Sequence, residues 1–251
     1  MTIAPPFLDT APINYLDSFA RYQPRTTRRI CLSVEGREKC GKTRFALTAP
    51  GPIVYFNLDD GLDRVQPNVQ FPELDLRIVD VPSVAKDGHP DIIADEALKV
   101  WTWLKLQHVK ALDAARTVVY DSFTEVWELA RLARFGKLTQ ISPQHYGPVN
   151  REFHEFIREF SKRNTNLILL HKVMPEFENK SAMERKGFSH VGFDVDDFVR
   201  VDRDADGKFF VQVIESGNNS ALKGKIFSEP SNTFPDIAMA MFPNSSPLDW
   251  F

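Results

Sequence analysis

The stretch "SVEGREKCGKTRFAL", residues 33–47, decides how the rest of the chain is read. Gly36, Gly41, Lys42 and Thr43 stand in it at the spacing G-x-x-x-x-G-K-[ST]. At average composition those residue types meet that spacing by chance in about one chain in a hundred of this length. Context narrows the reading further. A phosphate cradle has to follow a strand and open a helix, so that loop N–H groups and the first helical turn face the phosphates. Here "RICLSV" precedes the motif as an apolar strand, and "KTRFALTA" follows as a helix that Pro50 stops. Gly36 and Gly41 let the backbone wrap a phosphate with no Cβ in the way. The expected nucleotide-binding segment therefore runs Gly36, Arg37, Glu38, Lys39, Cys40, Gly41, Lys42, Thr43 and Arg44. Lys42 is the cation for the β- and γ-phosphates, and Thr43 offers its hydroxyl to Mg²⁺. The expected ligands are ATP and Mg²⁺.

A triphosphate site needs an acid at the tip of a buried strand to manage the metal. "TVVYD" supplies Asp121. A carboxylate there can instead cap the next helix. Ser122 is able to take over the capping, which leaves Asp121 for the metal. "PIVYFNLDDG" is a further apolar strand and ends in Asp59 and Asp60. Ligands bind beyond the carboxyl ends of strands in open α/β sheets. One of the two acids is thus placed to orient an attacking water; the competing role is an Asp-stabilised turn before Gly61. "TNLILLHKV" ends a strand at His171, which either touches the γ-phosphate or is a histidine satisfied at a strand end.

Further out, "LRIVDV" reads as a strand. Residues 91–112 have helical periodicity, with Ile93, Leu98, Trp101 and Leu104 near one face. Trp101 and Trp103 are expected as core and half-core. A helix follows Asp121, and another starts at about Pro148. "MPEFENKSAMERKGFSHVGFDV" reads as a long mixed-charge loop. Two strands then flank a turn at Asp204–Gly207. "DRDADG" matches half of a calcium loop, but the twelfth position is Val213 where a bidentate Glu is required, so a hairpin turn is expected. Strands alternating with helices imply an α/β fold: a mainly parallel central sheet flanked by helices, with a C-terminal β-hairpin. The expected organisation is an N-terminal arm at 1–24, one ATPase domain at 25–242 and a tail at 243–251.

Composition sets outer bounds. The net charge of −3 over 251 residues provides no global field toward nucleic acid or membrane, so any such contact is a local patch. Arg25, Arg28 and Arg29 form one candidate, a phosphate-contacting patch or a solvated charge run. Two cysteines make neither a disulfide framework nor a zinc site. The N-terminus has no apolar leader and no run approaches a membrane span, so a cytoplasmic protein without membrane contact is expected.

These motifs together resemble the RecA-like P-loop ATPases, and more narrowly the phage recombination ATPases that act as single-strand annealing or strand-pairing proteins. "GREKCGKT" is similar to their Walker A, "VVYDS" to their Walker B, and "LILLHK" to their sensor strand. "FNLDDGLDRV" is similar to the segment carrying their catalytic acid, usually Glu; here it is Asp59. The resemblance covers about residues 30–227. It implies slow ATP hydrolysis and self-association into a ring or filament. It also implies that Lys223 and Lys225 of "ALKGKIF" reach a neighbouring subunit's phosphates. Single-stranded DNA would lie against loops at 135–150 and 175–191. Lys180, Arg185 and Lys186 would contact its backbone, and His145, Tyr146 and Phe188 would stack on bases. Two other functions fit the same motifs: a helicase-like ring motor, and a nucleotide-gated interaction or loader module. A small-molecule kinase would need an Arg-rich lid, and none is seen. The closing residues Leu248, Asp249, Trp250 and Phe251 either dock in a protein partner or fold back on the core.

Overall fold

A strand covered on both faces can bury side chains of both parities, so the uninterrupted apolar runs become the inner strands of one sheet. The structure, a computed structural model, describes residues 29–175 and 183–250. The arm at 1–24, Arg25, Arg28, Lys180 and Phe251 lie outside the described residues. Six strands run parallel: β1 (Cys31–Gly36), β2 (Ile53–Asn57), β3 (Leu76–Asp80), β4 (Thr117–Asp121), β5 (Asn166–Pro175) and, after the short β6 (Met183–Arg185), β7 (Asp197–Arg203). Two antiparallel strands, β8 (Phe209–Ser216) and β9 (Ile226–Ser228), extend the edge. The order is β3-β2-β4-β5-β1-β7-β8-β9, with β6 paired to β5. All residues of β1 and β4 are buried, whereas edge strand β3 is half-open.

Alternation along each strand divides the interior into two layers. Leu167 and Leu169 of β5 point into a cluster closed by α3 (Pro90–Ala114), α4 (Phe123–Phe135) and α5 (Gly147–Arg158). Ile168 and Leu170 point the other way, toward a cluster built from α1 (Lys42–Ala46), α6 (Phe234–Met241) and the chain end. A four-residue helix, α2 (Pro67–Gln70), carries no buried residue.

Several expectations shift in detail. On α3 the buried stripe is Ile93, Ala97, Trp101, Leu104, His108, Ala111 and Leu112. Leu98 lies half-exposed, because Ala97 takes the i+4 place beneath Ile93. Trp101 is core, donating to Glu152 Oε1 at 2.9 Å, and Trp103 is half-buried, as expected. Helix α1 is only five residues long. Ser122 occupies the N-cap position of α4, yet its hydroxyl makes no capping bond and is buried without a partner among the described residues. The mixed-charge loop after His171 is in part a hairpin: β5 continues to Pro175, and Val173 pairs with Arg185 of β6. The turn between β7 and β8 is tight, with Asp204 accepting from the backbone N–H of Asp206 and Lys208.

Trp250 is fully buried, stacks on Phe242 at 5.6 Å and donates its indole N–H to Ser245 Oγ. That corrects the option of docking a partner through the tail's tryptophan; among the described residues of the tail, Leu248 is an exposed apolar side chain. No helix among the described residues is long and apolar enough to cross a membrane.

Candidate nucleotide-binding site

The C-terminal tips of β1, β2 and β4 meet at one rim of the sheet beside Lys172, which lies within β5, and a cavity of about 570 Å³ opens there. The glycine loop forms its floor, from Glu38 to Arg44. Asp59, Gly61, Asp121, Lys172, Arg203 and Phe209 stand around it.

Both motif glycines answer to close packing within the chain. A Cβ on Gly36 would lie 2.3 Å from the Val201 carbonyl oxygen and 2.6 Å from Cys40 Sγ. Gly41 sits at φ 100°, which L side chains rarely adopt, and a Cβ there would meet the Phe209 ring at 2.6 Å. Strands β7 and β8 thus press the loop from outside. Within it, Lys42 Nζ donates to the carbonyls of Gly36 at 2.8 Å and Arg37 at 2.7 Å. The ammonium is therefore curled onto its own loop, a position from which a phosphate can draw it. Arg37, Glu38 and Lys39 are exposed. Cys40 is buried, and burial raises its thiol pKa. Arg44 faces Glu229 at 4.0 Å and the Phe209 ring at 5.5 Å.

Asp121 is buried and doubly bound: Thr43 Oγ1 donates to its Oδ2 at 2.6 Å, and the Tyr55 hydroxyl donates to the same oxygen at 2.5 Å. Burial first, and the Asp121 charge second, push the Tyr55 hydroxyl pKa far up, so Tyr55 remains a donor. The Thr43 hydroxyl and Asp121 carboxylate are hard oxygen donors, suited to a small divalent cation that keeps most of its waters. Among the described residues no group of three or more His, Cys, Asp or Glu could hold a metal unaided. A cation here would share its remaining positions with water and phosphate.

The two acids after β2 part ways. Asp59 lines the cavity and accepts from Gly61 N–H at 3.2 Å; burial and the neighbouring Asp121 raise its pKa. Asp60 is exposed at φ 54° and outside the cavity lining.

Within β5, which runs on past His171 to Pro175, the structure corrects the sequence reading. His171 does not line the cavity. It is buried on the opposite face, edge-on to Phe123 at 5.6 Å, and neither ring nitrogen has a hydrogen-bond partner among the described residues. Burial drives its pKa well down, so the ring is neutral. The residue of β5 that lines the cavity is Lys172. Strand alternation explains the exchange, since Lys172 shares a face with Leu170, and Leu170 pairs in register with Asp121.

Lys223 and Lys225 are exposed near the β8–β9 turn and line neither described cavity; Lys223 pairs with Glu215. Of the candidate nucleic-acid contacts, His145 and Lys186 are exposed, Lys186 lying 3.6 Å from Glu128. Three others are engaged inside the protein. Arg185 is half-buried, with its guanidinium 4.9 Å from the Phe198 ring centroid. Tyr146 packs on Trp127 and Phe135, and its hydroxyl accepts from Arg131. Phe188 is buried against Trp127 and Phe153. These aromatic rings hold the fold and are not free to stack on bases. Arg29 likewise lies over the Phe160 ring at 4.2 Å.

Sequence reasoning missed Tyr55, Lys172, Arg203 and Phe209. The period-two rule applied to β5 would have separated Lys172 from His171. Arg203 and Phe209 carried no local signal, because they arrive from a hairpin more than 150 residues downstream of the loop. A second cavity, of about 700 Å³, adjoins the first across Gly41, Arg44, Gln70 and Phe209. Phe71, Glu229 and Asn232 line it.

A family described as an AAA domain matches residues 28–192. No curated protein matches the chain. Among solved structures, the chain is similar to the RadB recombinase at 15% identity and a TM-score of 0.51, over 79% of this chain and 86% of that one. The fold is therefore RecA-like, with a P-loop at the site described.

Proposed function

Because the chain belongs to the AAA-domain family of P-loop ATPases, we propose that it binds ATP with Mg²⁺, hydrolyses it slowly, and acts on single-stranded DNA in phage-type recombination or annealing. The observation that carries the nucleotide reading is the 2.6 Å bond from Thr43 Oγ1 to Asp121 Oδ2, beside a glycine loop whose lysine lies on its own carbonyls. Lys42 moves from those carbonyls to the phosphates. Thr43 and Asp121 would hold Mg²⁺, which when bound would neutralise phosphate charge. Asp59, half-buried at the cavity wall, orients the attacking water.

The DNA reading has a narrower base. It is supported by exposed Lys186 and His145 and by the likeness of fold to a recombinase. Self-association into a ring or filament is part of the proposal. Lys223 and Lys225 are exposed away from their own cavity, as residues serving a neighbour's site would be. The same reading treats residues 25–242 as one ATPase domain in the cytoplasm.

The test is the steady-state ATPase rate of the full chain with and without single-stranded DNA. Stimulation by DNA supports the proposal. Translocation or unwinding points instead to a ring motor, and ATP-driven assembly indifferent to DNA points to a loader. With Mg²⁺ present, failure to bind an unhydrolysable ATP analogue sinks the nucleotide reading itself.

A further inference from the structure

Lys172 enters the cavity from outside the glycine motif. Its Cα pairs in register with Gly36, the first residue of the loop. Its ammonium stands between two carboxylates, 2.7 Å from Glu125 Oε1 and 3.8 Å from Asp59 Oδ2. Burial works against its charge, but Glu125 and then Asp59 outweigh burial and raise its pKa, so it is a full cation.

We propose that Lys172 is a phosphate-binding cation that exchanges Glu125 for the terminal phosphate of a nucleoside triphosphate, and so distinguishes triphosphate from diphosphate. The proposal rests on the reading of this cavity as a triphosphate site. Three features carry it. First, the exchange is cheap for Glu125. Lys86 Nζ lies 3.4 Å from Glu125 Oε2 and also binds Glu128 at 2.7 Å, so Glu125 keeps a cation when Lys172 leaves. A buried carboxylate stripped of its only partner would instead oppose the move strongly. Second, the backbone at Lys172 is pinned. Its N–H donates to Thr124 Oγ1 at 3.1 Å and its carbonyl accepts from Lys186 N–H at 2.8 Å. The change is therefore confined to a flexible four-carbon side chain. Third, Lys172 and Lys42 line one cavity, with Asp59 and Asp121 beside them. A third phosphate adds charge to that space, and a nucleotide lacking it leaves Lys172 on Glu125.

The test compares affinities of the full chain for an unhydrolysable ATP analogue and for ADP, both with Mg²⁺, by titration calorimetry. K172A should lose about tenfold in affinity for the analogue, as expected for one charge-assisted contact, with ADP affinity held within about twofold. K172R should recover part of the loss. E125Q, which loosens the competing partner, should tighten the analogue several-fold and leave ADP unchanged. Equal weakening of both ligands by K172A, or no change in either, overturns the proposal while the site reading stands. A wild-type chain that binds neither nucleotide overturns both.

Discussion

Thr43 and Asp121, 78 positions apart in the chain, are joined by one 2.6 Å hydrogen bond that ties the glycine loop to the tip of β4. The Tyr55 hydroxyl reaches the same carboxylate oxygen from β2. The glycine loop, the buried acid and its supporting hydroxyl therefore come from three separate segments, carried by β1, β4 and β2 of one sheet, with β5 lying between β1 and β4.

The two acids at the β2 tip should separate in function. Asp59→Asn should lower ATP turnover by about a hundredfold, with analogue affinity changed only a few-fold. Asp60→Asn should leave turnover near wild type, because Asp60 is exposed outside the cavity. Single-turnover hydrolysis beside equilibrium binding reads both; an Asp60 effect larger than the Asp59 effect reverses the assignment.

The glycines predict a graded steric series. Gly36→Ala sets a methyl 2.3 Å from the Val201 carbonyl oxygen, which is backbone and cannot swing aside, and should cost about 1–3 kcal/mol. Gly41→Ala meets both the Phe209 ring and a φ of 100°, and should cost at least as much. Gly207→Ala has open space and only its φ of 79° against it, so about 1 kcal/mol is expected. Urea denaturation midpoints rank the three, and a Gly36→Ala protein as stable as wild type would contradict the packing of β7 on the loop.

The chain end offers a direct contrast. Trp250→Ala empties a fully buried site and should destabilise by about 3–5 kcal/mol. Leu248→Ala, at 83% exposure, should stay within about 0.5 kcal/mol. Chemical denaturation of the two variants decides whether the tail is core or ornament.

A pH effect follows from His108. Its ring is enclosed by Tyr120 and Phe156: the Tyr120 hydroxyl is 2.8 Å from Nδ1, and Nε2 is 2.9 Å from the Phe156 carbonyl. Burial pushes its pKa down to about 4, with the Phe156 carbonyl pulling the other way. In the unfolded chain it returns to about 6.5, so between those values the unfolded state takes up the proton and the folded state does not. Stability attributable to His108 is thus complete above about pH 6.5 and is lost as pH falls toward 4, by up to about 3 kcal/mol. Urea midpoints measured from pH 7.5 to 4.5 should fall less steeply in His108→Gln; an unchanged slope would refute the assignment.

Much of the site was legible because its parts are local. The order strand, glycine loop, helix around residues 36–43 is a contiguous pattern, and Asp121 announces itself as an acid ending an apolar strand. The same locality misled within β5. Leu167, Ile168, Leu169 and Leu170 are apolar on both parities, so nothing in that run says which face meets the loop. His171 had the chemistry expected of a site residue; Lys172 had the position. The aromatic candidates Tyr146 and Phe188 failed for a related reason, since a ring that can stack on a base packs equally well on Trp127.

By itself, then, the sequence determined the α/β class, the phosphate loop and the acid that faces it, because strand and helix periodicities and the backbone needs of a glycine turn are short-range. Only the tertiary structure decided which of two neighbouring β5 residues enters the cavity, that Phe209 and the Val201 carbonyl forbid side chains on the loop, and that Trp250 belongs to the core. Those outcomes depend on which layer covers each face of the sheet and on contacts between segments far apart in the chain. Hydrophobic burial is non-directional, so the apolar pattern alone leaves them open.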